Sequence, residues 1–394
     1  MQYIDAHAIT NELVKEMLGE SGVLNADTAQ LTEIGEALEK KVGTEQLFKA
    51  IVDKTGKTEV LNKAYRGKFS ELMTDGWTFG SILETLRIKP MVATKDPSVN
   101  PEAGNYPLTD YKPETVKSTY YNKYDNFQVE AWHPTDQLWG SFNDAATQDK
   151  FLNGLMLEQS NGLGRHKEAL ARAAVINYIG QVAYKNAPTG NYGAVSTPNF
   201  VNVLKEYKAE HPDSTITAAT CMNDEDFKLF LIKRMNNTFD YMTDESKVFN
   251  IDGEVEQTYA EDIKTVMLSN VKNDIDISLK TKLFNENLAK IPGNLMTVSY
   301  WQGSNGYGDE KVGEINVKIE VNENDQKVKK DVNLTGILAV MYDPMAVRIA
   351  CEKNKTTTFY HPDLDQIKYM NKYRAMYLND FSKNFVVFYV ADAA

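Results

Sequence analysis

Two apolar runs near the carboxyl end of the chain constrain its fold more than any other feature. Residues 336–347 read Gly-Ile-Leu-Ala-Val-Met-Tyr-Asp-Pro-Met-Ala-Val, which predicts a buried strand that ends in an Asp-Pro turn. An extended corner, Phe-Tyr-His-Pro at 359–362, and a tyrosine-rich segment at 369–377 follow it. The sequence Phe-Val-Val-Phe-Tyr-Val-Ala at 385–391 predicts a second apolar strand. No catalytic motif lies in this region, so it predicts a packing element rather than a reaction site.

The composition is that of a soluble globular protein. The chain has 394 residues, of which 42% are hydrophobic and 25% are charged, and these fractions are ordinary for that class. This length suffices for two or three compact domains, or for one elongated subunit with arms. The formal net charge of −12 disfavours a protein that grips nucleic acid across a broad face, but it allows one that encloses nucleic acid.

The sequence carries no targeting or membrane signal. Residues 1–5 lack the basic and apolar regions of a signal peptide, and no window has the apolar length of a membrane span. The two cysteines, Cys221 and Cys351, do not indicate a disulfide framework. An isolated cysteine is more often a small buried side chain than a nucleophile. We therefore expect synthesis in a reducing cytoplasm and no membrane partner.

The first third of the chain predicts thin elements without a core of their own. Residues 1–55 have the apolar spacing of three short helices with acidic outer faces, which are either an ordinary solvated surface or an arm on a neighbouring subunit. Over 91–132, a tip rich in proline and glycine is followed by β-forming residues, which predicts a long two-stranded ribbon. Because an isolated hairpin is marginal in water, the ribbon needs a partner surface. This is the first indication of an assembly.

Residues 146–186 are the strongest helical region of the sequence. A short helix near 151–157 is predicted to break at the Asn-Gly-Leu-Gly sequence of 161–164. Residues 165–186 then run without proline, with apolar residues at helical spacing, and would span roughly 30 Å. The alanines suit close packing against a sheet, and any core helix would have the same pattern.

Residues 197–342 alternate between strand and helix patterns, as in a compact α/β layer. Residues 198–210 predict a helix. Residues 314–321 alternate apolar and polar side chains, and a second alternating strand returns after a charged turn. Together they predict a hairpin over 311–333 with a polar, exposed tip.

The histidines do not form a catalytic or metal-binding set. None lies at metal-ligand spacing from another histidine or from a cysteine. Three of them precede a proline, which is typical of turn corners. The five histidines are His7, His133, His166, His211 and His361.

Glycine-rich and acidic segments also lack the spacing of known sites. The glycines of 162–164 precede a predicted helix, but they lack the third glycine of a dinucleotide fingerprint and the Gly-Lys-Ser/Thr of a phosphate loop. The glycines of 303–308 are typical of a flexible loop. The aspartate pairs at 224/226 and 274/276 lack the order of a calcium loop. We predict no catalytic, cofactor-binding or metal-binding residues, and no enzymatic activity.

Four segments, taken in order, resemble the major capsid proteins of tailed bacteriophages, most closely those of small short-tailed podoviruses. The first is Phe-Gly-Ser-Ile-Leu at 79–83 with Ile-Lys-Pro at 88–90, and the second is the Tyr-Tyr-Asn-Lys-Tyr ribbon at 120–124 with the helical region 146–186. The third is Asp-Glu-Asp-Phe-Lys-Leu-Phe-Leu at 224–231 with Phe-Asn-Ile-Asp at 249–252, and the fourth is the closing stretch after residue 337. The likeness covers most of the chain in the correct order and is not carried by one short motif.

The resemblance implies an α+β, Hong Kong 97-type phage capsid fold with an N-terminal helical arm, an extended β-hairpin loop, a long spine helix, a peripheral domain and an axial domain. It assigns 1–90 to the arm and the strand after it, 91–132 to the extended loop, 133–195 to the peripheral domain with spine helix 165–186, 196–340 to the axial domain with the hairpin 311–333, and 341–394 to the closing sheet of the peripheral domain.

The resemblance also implies a function. The chain would be a structural subunit that assembles into hexamers and pentamers of an icosahedral or prolate shell, which encloses double-stranded DNA without sequence-specific binding. The expected partners are further copies of the chain, a scaffolding protein and a portal, with minor capsid or head-fibre proteins as further candidates. The expected location is the virion, with assembly in the host cytoplasm.

Two other functions stay open at this point. An encapsulin-like nanocompartment shell protein would share the fold and enclose cargo protein. A soluble α/β enzyme would require a polar pocket with perturbed titratable groups. The helical 1–60 region and the 311–333 hairpin depart from the family pattern, so their roles also stay open.

Overall fold

A computed structural model describes residues 64–75, 82–91, 93, 115–134, 145–280, 290–302, 313–323, 326–364 and 366–392. The three helices predicted within 1–55 lie outside these residues. The helices of the described part are Ala145–Asn186 (α1), Val203–Glu210 (α2), Glu225–Met242 (α3) and Ser269–Lys280 (α4).

The strands of the described part vary from three to fifteen residues in length. They are Met73–Asp75 (β1), Leu83–Ile88 (β2), Val116–Tyr121 (β3), Tyr124–Pro134 (β4), Phe200–Asn202 (β5), Lys264–Leu268 (β6), Asn294–Val298 (β7), Ile315–Glu323 (β8), Gln326–Leu334 (β9), Ile337–Tyr342 (β10), Val347–His361 (β11), Gln366–Asn379 (β12) and Phe385–Tyr389 (β13).

The chain divides into two compact units. The larger unit holds the described residues within Arg66–Gln128, Gly164–Lys355 and Lys372–Ala394. The smaller unit holds the described residues within Met1–Tyr65, Val129–Leu163 and Thr356–Asn371. Helix α1 and strands β4, β11 and β12 contribute residues to both units.

A five-stranded sheet of order β5-β13-β10-β6-β7 lies in the larger unit. Every residue of β10 and of β13 is buried, and the two strands pair antiparallel with Val340 opposite Val387. Gly336 precedes β10 with φ +74°, and a Cβ there would lie 2.2 Å from the carbonyl oxygen of Val390, so only glycine fits. The prediction that the two apolar runs form buried strands is confirmed.

The expectation of one closing sheet over 341–394 is wrong. Strand β12 belongs to a four-stranded sheet of order β1-β11-β12-β4, whereas β13 belongs to the five-stranded sheet. The physical reason lies in the composition of the two strands. Strand β13 is apolar and buried at every position, as a strand covered on both faces requires, whereas β12 mixes charged and apolar residues, most of which are only half-buried.

Helix α1 is continuous through residues 161–164, so the predicted break is wrong. The Asn161 carboxamide is buried, where it accepts from the Tyr65 backbone N–H at 2.7 Å and donates to the Glu158 carboxylate at 3.2 Å. A Cβ on Gly162 would lie 3.4 Å from Cγ1 of Val129. Tertiary contacts therefore outweigh the low helix propensity of the two glycines. None of the helices in the described ranges is apolar over the length that a bilayer crossing requires.

The prediction of a two-stranded ribbon over 91–132 is wrong about which strands pair. Strand β2 pairs antiparallel with β3, with Leu83 opposite Tyr121, so the first strand of the ribbon precedes residue 91. Strand β4 leaves the ribbon and forms one edge of the four-stranded sheet. There the Phe127 ring packs 4.7 Å from the His166 ring of α1 and 5.5 Å from the Tyr373 ring of β12. A two-stranded ribbon offers no such cover to an aromatic side chain.

Two further expectations concern the α/β layer. Residues 198–210 do not form one helix, because β5 precedes α2 and the Phe200 ring stacks on Tyr389 at 4.1 Å. The Asn202 side chain then caps α2 by accepting from the Lys205 backbone N–H at 3.2 Å. The hairpin expected over 311–333 is confirmed, with β8 and β9 antiparallel and Glu323 opposite Gln326.

Candidate assembly surface

The ribbon formed by β2 and β3 has two chemically different faces. Side chains alternate between the two sides of a strand, so every second residue lies on one face. On one face Leu86, Ile88, Val116 and Tyr120 lie in the solvent, with Leu86 66% and Ile88 60% exposed. We call these four side chains the apolar face. A contiguous exposed group of this kind marks a surface that contacts another molecule.

The opposite face of the ribbon is polar except at one end, where Leu83 and Tyr121 pack on buried apolar residues of the larger unit. Arg87 anchors the polar part of this face to the rest of that unit. The Arg87 guanidinium donates to the Val255 carbonyl oxygen and to the Glu256 carboxylate. It also donates to the carbonyl oxygen and to Oγ of Ser382, at 3.3 and 3.0 Å. Glu256 accepts a further hydrogen bond from Nζ of Lys383 at 2.6 Å. Hydrogen bonds between charged groups are the stronger kind, so this anchor is well defined.

Lys117 provides a second anchor on the same polar face. Its Nζ lies 2.9 Å from the Asp252 carboxylate and 3.2 Å from the Glu254 carboxylate. The hydrogen bond to Asp252 is the main cause that raises the pKa of Lys117. The hydrogen bond from Lys117 in turn lowers the pKa of Glu254. Both shifts favour the charged forms, so the pair stays ionised near neutral pH.

The β8–β9 hairpin has the reverse arrangement of faces. Its apolar side chains point inward, with Ile319 and Val332 buried, and its exposed side carries charged residues such as Lys318 and Asp331. The inner face packs on α1 at Gly180, where an added Cβ would lie 2.6 Å from Cγ1 of Val317 and 3.0 Å from Cγ2 of Ile319. Glycine at this position therefore lets the hairpin approach the helix closely.

Helix α1 also packs against the segment between β12 and β13. The Tyr178 ring is fully buried and stacks on the Phe385 ring at 4.1 Å. Its hydroxyl donates to the carbonyl oxygens of Asp380 and Lys383 at 3.0 and 3.2 Å, and burial raises its pKa well above the usual value. These contacts confirm that the closing region packs on residues 165–186 of the helix.

The smaller unit carries a second exposed apolar group. Phe359, Tyr360 and Leu364 lie at the turn between β11 and β12 and are exposed by 53%, 51% and 57%. Along the same sheet, Nζ of Lys368 lies 4.4 Å from the centre of the Trp132 ring and 2.5 Å from the Glu130 carboxylate. Ionic and cation–π contacts thus join β12 to β4 in the same unit.

Among the described residues, those weighed for chemistry in the sequence have structural surroundings. Cys221 is buried, and burial raises the pKa of its thiol to about 11. The Sγ of Cys351 lies 3.8 Å from Sδ of Met73. Asp224 caps α3 by accepting from the Phe227 backbone N–H at 2.8 Å. A buried thiol with a raised pKa, such as that of Cys221, is a poor nucleophile.

Two histidines and the glycine segments likewise have structural surroundings. His166 packs between Phe127 and Tyr373 and hydrogen-bonds the Tyr373 hydroxyl, and desolvation lowers its pKa. The His211 ring stacks on Tyr207 at 4.4 Å. The glycines of 162–164 lie inside α1 and not at a helix start, and residues 303–308 lie outside the described residues. Within the described ranges, no group of three or more His, Cys, Asp or Glu side chains is placed to hold a metal ion.

The model of the Phi29-like phage major capsid protein family matches residues 8–389 of the chain. The chain belongs to this family. The fold and the exposed surfaces described above are therefore those of a structural subunit of a phage capsid. A search of curated proteins found no match.

Solved capsid structures share the fold of this capsid protein. A chain of the capsid of Staphylococcus phage Andhra is 11% identical with a TM-score of 0.56, and the match covers 85% of this chain and 87% of that one. A chain of the structure described as head fibre and inner core protein gp22 of native bacteriophage P68 is 12% identical with a TM-score of 0.53. That match covers 84% of this chain and 87% of the other. The mixed helix and sheet architecture is consistent with the Hong Kong 97-type fold, and nothing favours the encapsulin alternative.

Sequence reasoning predicted the family but missed the residues that form the surface. The Leu-Glu-Thr-Leu-Arg-Ile sequence of β2 alternates in burial, and this alternation placed Arg87 opposite the apolar face. Reading that period would have predicted a two-faced strand. The acidic partners at 252–256 are far away in the sequence, and only the tertiary fold brings them to Arg87.

Proposed function

We propose that this capsid protein assembles into hexamers and pentamers of an icosahedral or prolate shell that encloses double-stranded DNA. The observation that carries the proposal is the apolar face of the ribbon, which is exposed in the described part of the subunit although the ribbon is held in place on its other side. In this proposal a neighbouring copy of the chain covers the apolar face. Each contact is modest, and many copies of it sum to a stable shell.

The domain assignment of the resemblance carries over to the proposal with corrected strands. The extended loop corresponds to the β2–β3 ribbon and the residues between its strands, and the spine helix to residues 165–186 within α1. The five-stranded sheet, including β13, corresponds to the axial domain. The four-stranded sheet corresponds to the peripheral domain. Residues 1–60, for which the sequence predicts helices, would be an arm that reaches a neighbouring subunit.

The proposed partners beyond the chain itself are a scaffolding protein, a portal and head-fibre or minor capsid proteins. The P68 structure includes a head fibre, which supports the last of these. The net charge of −12 suits a wall that encloses DNA without binding it tightly, because like charges repel. The subunit performs no catalysis in this proposal, and it assembles in the host cytoplasm.

Electron microscopy of the chain produced together with its scaffolding partner tests the proposal. We expect closed shells from the natural sequence. The double variant Leu86→Asp/Ile88→Asp should stay unassembled, because it places charges on the surface that a neighbour would bury. The matched control is Asn322→Asp/Asn333→Asp, which adds the same two carboxylates at exposed positions of the β8–β9 hairpin and should still form shells. A chain that stays monomeric under every assembly condition contradicts the proposal.

A further inference from the structure

Three acidic residues and two neutral groups form a preformed binding surface under the ribbon. We call Asp252, Glu254 and Glu256, with the Val255 carbonyl and Ser382, the acidic cradle. A cavity of about 530 Å³ lies here between the ribbon and other residues of the larger unit. It is lined by Thr85, Arg87, Lys117, Glu256, Ser382 and Lys383, among others.

Contacts that do not involve the ribbon hold the cradle in shape. The Asn250 side chain accepts from the Glu254 N–H at 3.0 Å and donates to the Glu254 carbonyl at 2.7 Å. The backbone N–H groups of 251 and 252 both donate to the Phe381 carbonyl at 3.1 Å. Gly253 has φ +69°, which a side chain would disfavour. The form of this loop therefore rests on contacts that do not include the ribbon.

The acceptors for Arg87 are also fixed independently of it. Both Glu256 and Ser382 are buried. Glu256 pairs with Lys383, and the Ser382 hydroxyl donates to the Asp380 carboxylate at 2.7 Å. Loss of Arg87 would thus leave neither group without a partner. A binding surface that is ordered in advance orients its ligand at low entropic cost.

We propose that the acidic cradle is a docking surface for the β2–β3 ribbon of the same chain, and that it fixes the direction in which the apolar face meets the next subunit. This inference rests on the proposed function, in which the apolar face contacts a neighbouring copy. Arg87 sets the position of the ribbon through a fork of hydrogen bonds, and Lys117 adds a second point that prevents rotation about the first.

Hydrogen exchange of the unassembled subunit tests the docking. Arg87→Met should accelerate exchange of the β2 and β3 amides about tenfold, because it removes charge-assisted hydrogen bonds. The amides of β10 and of β8–β9 in the same sample should not change, which shows that the fold is intact. The control Lys123→Met removes an exposed ion pair with Glu320 at 3.4 Å and should change ribbon exchange less than about twofold.

Unchanged ribbon exchange in Arg87→Met would overturn the proposal. So would protection of the ribbon that is lost when the natural subunit is diluted, since a second copy would then hold it. The assembly rate of Arg87→Met, followed by light scattering, tests whether the cradle fixes the direction of the apolar face. A several-fold slower rate supports this, and an unchanged rate overturns it. If the natural chain never forms shells while its ribbon is protected, the proposed function fails and the docking stands.

Discussion

Two antiparallel strand pairs are used in opposite ways by this capsid protein. The β8–β9 hairpin buries apolar side chains on α1 and exposes most of its charged ones. The β2–β3 ribbon contacts its own subunit through Arg87 and Lys117, with Leu83 and Tyr121 packed at one end, and leaves the apolar face exposed. The first arrangement completes a monomer. The second leaves apolar side chains exposed in the subunit, and in our proposal a neighbouring copy buries them in the shell.

The largest difference between the hairpins should appear in the stability of the free subunit. Ile319→Ala should lower the free energy of unfolding by about 2–5 kcal/mol, because it leaves a cavity at a fully buried position. Leu86→Ala should lower it by less than about 0.5 kcal/mol, because Leu86 is already exposed. Urea unfolding of the two variants measures both values. Equal losses would show that the ribbon is buried in the monomer and would remove the contrast.

The close approach of the β8–β9 hairpin to α1 should depend on Gly180. Gly180→Leu should destabilise the subunit by about 1–3 kcal/mol, since the new side chain would overlap Val317 and Ile319. The matched control is Ala173→Leu, at an exposed position of the same helix, and it should be nearly neutral. Thermal unfolding of the pair checks the prediction, and a neutral Gly180→Leu would mean that the hairpin can lift off the helix without cost.

Salt should affect the ribbon more than the hairpin. The Lys117 contacts are partly exposed, so a variant Lys117→Met should accelerate ribbon exchange by only a few fold, and less at high ionic strength. Exchange of the β8–β9 amides should depend less on salt, because buried apolar side chains, rather than the exposed ion pairs of the hairpin, hold it on α1. Ribbon exchange that does not respond to salt in the natural chain would argue against ionic anchoring.

Acid should produce the smallest effect, and its sign follows from Glu254. The pKa of Glu254 is lowered from 4.5 by the hydrogen bond from Lys117. Its contribution to ribbon docking is therefore complete above about pH 4.5 and is lost as the pH falls through the lower, folded value. Protection factors of the β2 and β3 amides between pH 3 and pH 7 (about the range in which a carboxylate titrates) measure this. The Lys117→Met variant should flatten the profile.

The sequence predicted the elements whose pattern is local and uniform. The apolar runs of β10 and β13 and the alternation of β8 and β9 confirm that simple periodicity predicts strands well. Periodicity failed where residues distant in the sequence determine the structure. Gly162 stays helical because Val129 and the contacts of Asn161 support the helix there. Strand β4 leaves the ribbon because α1 and β12 cover Phe127. Strand β13 belongs to a different sheet from β12, and the sequence of one strand does not show which strands it pairs with.

The assembly surface was the least predictable part. The sequence indicated that a thin ribbon needs a partner, but not that its polar face already has one. Arg87 is far from Glu256 and Ser382 in the sequence, and only the tertiary structure brings them into contact. The pattern of β2 contained the alternation, and the identity of the partners lies in the tertiary structure.

Electron cryomicroscopy of assembled shells would show whether a neighbouring copy covers the apolar face. The measurement is the environment of Leu86, Ile88 and Val116 in the shell. We predict that a neighbouring copy of the chain covers all three while Arg87 keeps its contact with Glu256 of its own subunit. A closed shell in which these three side chains remain exposed to solvent would contradict a role of the apolar face in assembly.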